Sequence, residues 1–345
     1  MKKVYYSKVI NAQINTDFPA VSLYCNSQDE IYESFLEVQK ILVAEGKNKI
    51  AKKYSNAIFR FVKVKKLKAT DYPVAFFLNG DQHCWTTLPF QVTRSSVVAN
   101  SFHIKPLLKW AQREMGFSAL HMTTDSVYLY EGSVATFSLM NELNIKNIPN
   151  DSKKFKLITQ FVHQNLMSLK VPLVVCGSLD VTQHFLDTTI LSNVISHTIP
   201  EPDLNLKNFH RQCLQILMPY LKNKEKNVLQ KFFDAKAKGE VVTNLNHIAM
   251  LVVQKKIKHL IVNENLHLWG ELNKNNGTFT YSLSQQNSKD DDILDDLCQT
   301  VLAYGGAVTV LTKDTMPGQK AACGILDSAN TQSAYKHEVI YENHI

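Results

Sequence analysis

The chain has 345 residues, 45% hydrophobic and 20% charged, with only 12 Gly and 10 Pro. That composition supports packed cores and excludes disordered, collagenous and low-complexity classes. Its six cysteines, Cys25, Cys84, Cys176, Cys213, Cys298 and Cys323, contain no Cys-x-x-Cys pair, which excludes zinc-ribbon and thioredoxin-like spacings and a dense disulfide framework. The formal charge is +7, and only Arg60, Arg94, Arg113 and Arg211 of the 38 basic residues are arginine. A lysine excess suits loose attraction to phosphate more than bidentate readout; an AT-rich coding sequence gives the same excess.

At roughly 150 residues per domain the length predicts two or three domains. No stretch reaches the roughly 18 uninterrupted apolar residues of a membrane helix. Ser7, Asn11, Gln13, Asn15 and Asp17 interrupt any signal-like run at the start. The expectation is a cytoplasmic protein with reduced cysteines and no membrane partner. Nothing in the sequence sets an oligomeric state.

In chain order, Phe18 to Tyr24 alternates like a strand, and Ser27-Gln-Asp-Glu30 reads as a helix-capping sequence. Apolar residues at helical spacing predict a helix from Ile31 to about Tyr54. Strands are predicted at Ala57 to Val62, Pro73 to Leu78 and Cys84 to Leu88, with Asn79-Gly80-Asp81 as a hairpin turn. A helix over Ile104 to Trp110 follows, with Pro106 tolerated in its first turn. Strands over Phe117 to Met122, Ser126 to Tyr130 and Ala135 to Leu139 lead to a helix from Ser152 to about Leu169. Val171 to Gly177 reads as a strand buried on both faces. A helix over Val181 to Asp187 and a strand over Val194 to Ile199 close this part.

Three helices are then predicted, over Leu206 to Leu221, Asn227 to Lys238 and Leu245 to Lys256, before a strand over His259 to Asn263. Residues 273–292 form a polar insert, rich in Asn, Ser, Gln and Asp, that reads as a surface loop. A helix from Ile293 to Tyr304 ends at a Gly305-Gly306 cap, and strands over Ala307 to Leu311 and Ala321 to Leu326 follow. The alternation of strand and helix predicts an α/β fold with mostly parallel sheets covered by helices.

The chemistry-bearing motifs are few. Gly-x-Gly-x-x-Gly, Gly-x-x-x-x-Gly-Lys-Ser/Thr, Gly-x-Ser-x-Gly and His-Glu-x-x-His are all absent. His83, His103, His121, His163, His184 and His210 show no metal spacing, so neither a metal nor a cofactor is expected. Asp290-Asp291-Asp292 with Asp295 and Asp296 can be read as a magnesium site, but the run precedes a helix, where carboxylates act as a solvated cap. Lys63, Lys65, Lys66 and Lys68, preceded by Lys47, Lys49, Lys52 and Lys53, form the densest basic stretch. It reads either as a solvated face or as a basic strand or loop contacting RNA phosphates. Trp85, Trp110 and Trp269 read as core, and Cys176 as a small hydrophobe at a strand end.

Phe102-His-Ile-Lys-Pro-Leu-Leu108, followed by Ala119 through Gly132, resembles the bacterial relatives of the archaeal and eukaryotic class-one peptide chain release factor. Leu173-Val-Val-Cys-Gly-Ser178, Gly239 to Val262, and Asp296 to Leu326 are similar to further phrases of that family in the same order. So are Val21-Ser-Leu-Tyr24 and Leu88-Pro89. The resemblance implies three α/β domains. They are an N-terminal domain over 1–100, a ribonuclease-H-like middle domain over 101–204, and a C-terminal domain over 205–345. The last would be a helix-covered mixed sheet like release factor domain 3. It also implies work at the ribosome, with tRNA or rRNA as partner.

The chain departs from the family where its chemistry sits. No Gly-Gly-Gln occurs, and the corresponding region reads Asn141 to Asp151; Tyr24-Cys-Asn-Ser27 also lacks the Pro-Thr-His of many bacterial members. The resulting expectation is a non-catalytic ribosome- or RNA-associated factor using Lys63, Lys65, Lys66 and Lys68. The alternative is a nuclease or hydrolase gathering Asp125, Glu131 and Asp180 at strand ends of the middle domain.

Overall fold

The computed structural model describes residues 1–3, 6–10, 12–65, 72–89, 91–112, 116–134, 136–148, 151–166, 171–188, 194–200, 202–203 and 205–327. Their backbone forms a mixed α/β chain with several sheets. The first elements are β1 (Lys2–Lys3), α1 (Tyr6–Ile10), β2 (Ala20–Cys25), α2 (Gln28–Ala44) and α3 (Asn48–Lys65). After them come β3 (Val74–Asn79), β4 (Gln82–Thr87), β5 (Ser95–Ala99) and α4 (Lys105–Ala111). The sheet runs β1-β4-β3-β2-β5, antiparallel except for β1 beside β4. Between β3 and β4 the turn places Gly80 at φ +58. A Cβ there would stand 2.8 Å from the Phe18 ring, so glycine serves both the turn and the packing.

The segment expected as one helix and then a strand is a helical hairpin. Ser27 caps α2 by accepting from Glu30 N at 3.2 Å, and Gly46, at φ +73, ends it. The strand expected over Ala57 to Val62 is the second half of α3. Its buried residues Ala51, Tyr54, Ile58, Phe61 and Val62 recur at helical spacing and pack with Leu23, Phe76 and Leu78 of the sheet. The aromatic and β-branched residues that suggested a strand instead build this face. Tertiary burial overrides propensity here.

The second group of elements is β6 (Phe117–Met122), β7 (Ser126–Gly132), β8 (Phe137–Asn144), α5 (Asp151–Asn165), β9 (Leu173–Cys176), α6 (Leu179–Thr188) and β10 (Val194–Ile199). Its sheet runs β10-β9-β6-β7-β8, with β7 antiparallel to both neighbours and β6, β9 and β10 parallel. Strand β8 extends to Asn144, beyond the expected end at Leu139, so part of the stretch expected as a loop is paired to β7. The two helices expected between Leu206 and Lys238 are one, α7 (Leu206–Ala237), with Pro219 inside it. Residues 222–226 are Lys, Asn and Glu with no glycine to stop a helix, and one proline weakens a long helix without ending it.

Then follow β11 (Val241–Val242), α8 (Leu245–Val253), β12 (Ile257–Asn263), β13 (Trp269–Leu272), β14 (Phe279–Ser282), β15 (Asp291–Asp292), α9 (Ile293–Ala303), β16 (Ala307–Leu311) and β17 (Ala322–Leu326). The main sheet here, β11-β17-β12-β16, is mixed, with only β12 and β16 parallel. The polar insert is not a plain surface loop. Its β14 and β15 pair antiparallel with β13 in a small sheet, and Asp291 and Asp292 are buried. The alternation of Trp269 to Leu272 and Phe279 to Ser282 sits inside polar sequence too short to register as strand pattern.

Contacts gather the chain into two compact units, residues 1–112 with 224–345, and residues 113–223. Residues 101–112, expected in the middle domain, fall in the first of these units. The cause is local: the backbone of Asn100 to Lys105 hydrogen-bonds to Asp291 and Asp295, and Gln112 bonds Val310 through both ends of its amide. Among the described residues no helix is long and apolar enough to cross a membrane.

Candidate functional site

Helix α3 contains no acidic residue. Its buried face fixes the opposite one: Lys49, Lys52, Asn56, Arg60 and Lys63 are exposed and recur at three- and four-residue spacing, which puts them on one stripe. Phe59, three residues after Asn56 and four before Lys63, is 48% exposed on the same side. Its ring leans on Tyr32 and Phe35, at centroid distances of 5.9 and 6.2 Å. Lys53 is drawn off the stripe, to Asp81 at 2.5 Å, and Lys47 is held by Glu45 at 2.7 Å.

Of the expected RNA contacts, Lys63 lies exposed on the last turns of α3 and Lys65 ends that helix, not a strand or loop. Lys66 and Lys68 lie outside the described residues. The helical period brings in Lys49, Lys52 and Arg60, of which Arg60 had no part in the sequence expectation. Its signal was present, four residues from Asn56 and three from Lys63, but it vanishes when the segment is read as a strand.

The expected carboxylates are not assembled. Asp125 precedes β7 and Glu131 lies near its far end. Six residues of extended chain separate them by about 20 Å, far beyond what a shared metal centre spans. All three of Asp125, Glu131 and Asp180 are exposed. Asp125 stands 3.8 Å from Lys146, and Asp180 is in the first turn of α6, where the helix dipole favours it. The central strands β6 and β9, paired with His121 opposite Cys176, carry no carboxylate. Cys176 is fully buried, and burial pushes its thiol far up, so it packs and does not react.

The aspartates expected to be a solvated cap are instead buried, in the first compact unit. Asp292 is the N-cap of α9, accepting from Leu294 N and Leu268 N, both at 3.2 Å, through Oδ1. Its Oδ2 accepts from Lys105 Nζ at 2.8 Å and His267 Nδ1 at 2.9 Å. Asp295 accepts from the backbone N–H of Ile104 at 3.0 Å and Lys105 at 2.5 Å, the start of α4. Asp291 accepts from Asn100 N at 3.0 Å and Ser101 N at 2.9 Å. The N–H groups that would hold these acids in water come instead from a segment about 190 residues away in the chain. Nothing in the spacing of either segment announces the other.

Electrostatics divide the four acids. Burial raises the Asp292 carboxyl, but Lys105 and then His267 outweigh it and hold it below the ordinary range. Asp295 is pushed up to about 7 by burial and by the Asp292 charge. Asp296 and Asp291 are raised as well, chiefly by burial. Only one charge of the group is matched by a buried cation, Lys105, whose side chain is 1% exposed, and the unmatched acids bind their protons more tightly than free carboxyls do.

His103 stands against this cluster. Its backbone is pinned by Ser22 Oγ at 3.0 Å and Tyr24 OH at 2.7 Å, and its ring lies 5.3 Å from that of His267. Burial lowers its pKa to about 3, so the imidazole is neutral. Nδ1 is buried and has no hydrogen-bond partner. Nothing in the spacing of the histidines marks this orphaned atom. His103, His267 and Asp292 present three potential metal-ligating atoms within 4.8 Å of one another, a grouping invisible in the sequence because its members lie in three separate segments.

No family profile matches the chain, and no curated protein does. Among solved structures it is similar to Archaeoglobus fulgidus Pelota, at 12% identity and TM-score 0.39, covering 73% of this chain and 78% of that one. It is also similar to Dom34 of S. cerevisiae, a translation termination-like factor, at 11% identity and TM-score 0.37, with coverage of 75% and 81%. An archaeal translation termination factor is matched over 94% of this chain and 98% of its own, at 13% identity and TM-score 0.27.

Proposed function

We propose that this chain is a non-catalytic factor that associates with ribosomes or their RNA, related to release and rescue factors but without an ester-cleaving tip. The observation that carries this reading is the acid-free face of α3, where Lys49, Lys52, Arg60 and Lys63 surround the half-exposed ring of Phe59. Such a surface suits a nucleic acid: the cations follow the phosphates, and the ring offers a stacking platform for an unpaired base. Lys65, Lys66 and Lys68 extend the same positive run in sequence.

The ordered sequence resemblance supports the same reading. So does the order of the middle sheet. Counted within that sheet, its strands run 5-4-1-2-3 with only the second antiparallel to the rest. A ribonuclease-H-like sheet has this arrangement. The segment in place of a Gly-Gly-Gln loop continues β8 to Asn144 and turns where Ile148 N donates to Ile145 O. It offers neither paired glycines nor a glutamine to place water on an ester. A modular organisation, a cytoplasmic site of action and the absence of a redox or nucleotide cofactor belong to this proposal.

The test is co-sedimentation with ribosomes across a salt series. Wild type is expected in the pellet at low salt and in the supernatant at high salt. For four phosphate contacts, log affinity should fall against log salt with a slope of about 3. Reversing Lys49, Lys52, Arg60 and Lys63 to glutamate is expected to abolish the pellet fraction. No co-sedimentation at low salt, or the same profile in the variant, overturns the proposal.

A further inference from the structure

We infer that His103, His267 and Asp292 form a binding site for one divalent transition-metal ion of the zinc class. Each offers one ligating atom, and these three atoms lie within 4.8 Å of one another; Asp292 Oδ2 faces both His103 Nδ1 and His267 Nδ1. Metal–nitrogen and metal–oxygen bonds of about 2.0–2.2 Å in tetrahedral arrangement set ligand atoms roughly 3.3–3.5 Å apart. Two observed separations bracket that value: 2.9 Å from His267 to Asp292 and 3.9 Å from His103 to Asp292.

Four observations point to an ion here and not to a hydrogen-bonded cluster alone. His103 Nδ1 is buried and makes no hydrogen bond, with Asp295 Oδ1 at 3.5 Å and Asp292 Oδ2 at 3.9 Å, and an orphaned buried polar atom in a folded core calls for a missing partner. Lys105 Nζ, 2.8 Å from Asp292 Oδ2 and 3.5 Å from His267 Nδ1, shows that the position favours a cation. That ammonium also reaches Leu266 O at 2.5 Å, a second acceptor on which it settles when a metal takes the carboxylate oxygen. Finally, Asp292 Oδ1 is tied by Leu268 N and Leu294 N, so Oδ2 is oriented by a second set of bonds, as ligating carboxylates are.

The donor set selects the ion. Two imidazole nitrogens with one carboxylate suit zinc, cobalt or nickel, while magnesium and calcium require oxygen throughout. The imidazole of His267, 38% exposed, gives an entry path and leaves the fourth position to water. It lies between β12 and β13, where its proton can move to Nε2 and its ring can adjust without disturbing a strand. The bound ion would join the His103 segment, the loop before β13 and the cap of α9, which the protein otherwise holds by hydrogen bonds and the Lys105–Asp292 ion pair.

The experiment uses the full chain stripped with a chelator. Zinc is titrated by calorimetry, and cobalt by its visible absorption. Saturable uptake of one ion per chain is expected, with a rise in thermal midpoint as zinc is added. His267→Ala should bind zinc at least about a hundredfold more weakly and lose the rise in midpoint that zinc gives wild type, whatever its own midpoint in chelator. His103→Gln, which keeps a polar group of similar length, should show the same loss. His163→Ala, at an exposed position in α5, should bind as wild type does. Absence of saturable binding by wild type, or wild-type affinity in His267→Ala, overturns the inference. Ribosome co-sedimentation is read separately, so failure of the functional proposal leaves this result intact.

Discussion

Two charged stretches, the basic run over Lys49 to Lys63 and the acidic run over Asp290 to Asp296, look alike in sequence and end in opposite environments. The basic one lies along a helix whose other face is already committed to the first sheet, so its cations stay in water. The acidic one meets backbone N–H groups from Asn100 to Lys105 and one buried ammonium, and leaves water. A charge run is therefore solvated only where the fold supplies no donors of its own. Burying charge without such donors costs far more than a fold can spare.

The contrast predicts effects of very different size. The largest belongs to the buried pair. Lys105→Met leaves the Asp292 carboxylate without its cation and should lower unfolding free energy by about 3–5 kcal/mol in urea titration. A loss under about 1 kcal/mol would mean that the acidic run is not held by this pair.

His259 shows a titratable group half-buried, with a lysine and no acid shifting it. Burial and then Lys231 lower its pKa to about 4, and its Nε2 hydrogen-bonds Thr309 Oγ1 at 2.8 Å. Its folded pKa lies below the unfolded value of 6.5, so the unfolded chain binds the extra proton in between. Stability from this residue rises with pH from about 4 to about 6.5 and is lost as pH falls through that window. With partial exposure discounted, the swing is roughly 2 kcal/mol. His259→Asn should flatten that part of a pH-stability curve; an unchanged curve would assign the slope elsewhere.

A smaller effect tests the hairpin that presents the basic face. Gly46 stands at φ +73 with no atom within 4 Å of an added Cβ, so Gly46→Ala meets backbone strain and no clash. It should cost about 1 kcal/mol, measured by thermal melting at neutral pH. The smallest expected stability change comes from reversing Lys49, Lys52, Arg60 and Lys63. Exposed positions of this kind move stability by about 0.5 kcal/mol or less, even as ribosome binding disappears. A large destabilisation would show that the stripe is structural.

Much of the local structure was readable before any coordinates. The 79–82 turn, the helix at 105–111 and the buried strands at 173–176 and 307–311 follow from period, glycine placement and β-branched content, all of which act over a few residues. The misreadings occurred where two periods compete. Ile58, Phe59, Arg60, Phe61 and Val62 fit a strand by type and a helix by burial, and only the neighbouring sheet decides between them.

The chain by itself determined the α/β class, the lysine excess and the lack of a Gly-Gly-Gln tip, because these are properties of composition and order. Only tertiary structure decided that Asp291, Asp292, Asp295 and Asp296 are buried and that His103, His267 and Asp292 meet. Contacts between segments more than 150 residues apart leave no trace in local spacing, because their geometry is set by strand register and by which buried donors and acceptors find one another.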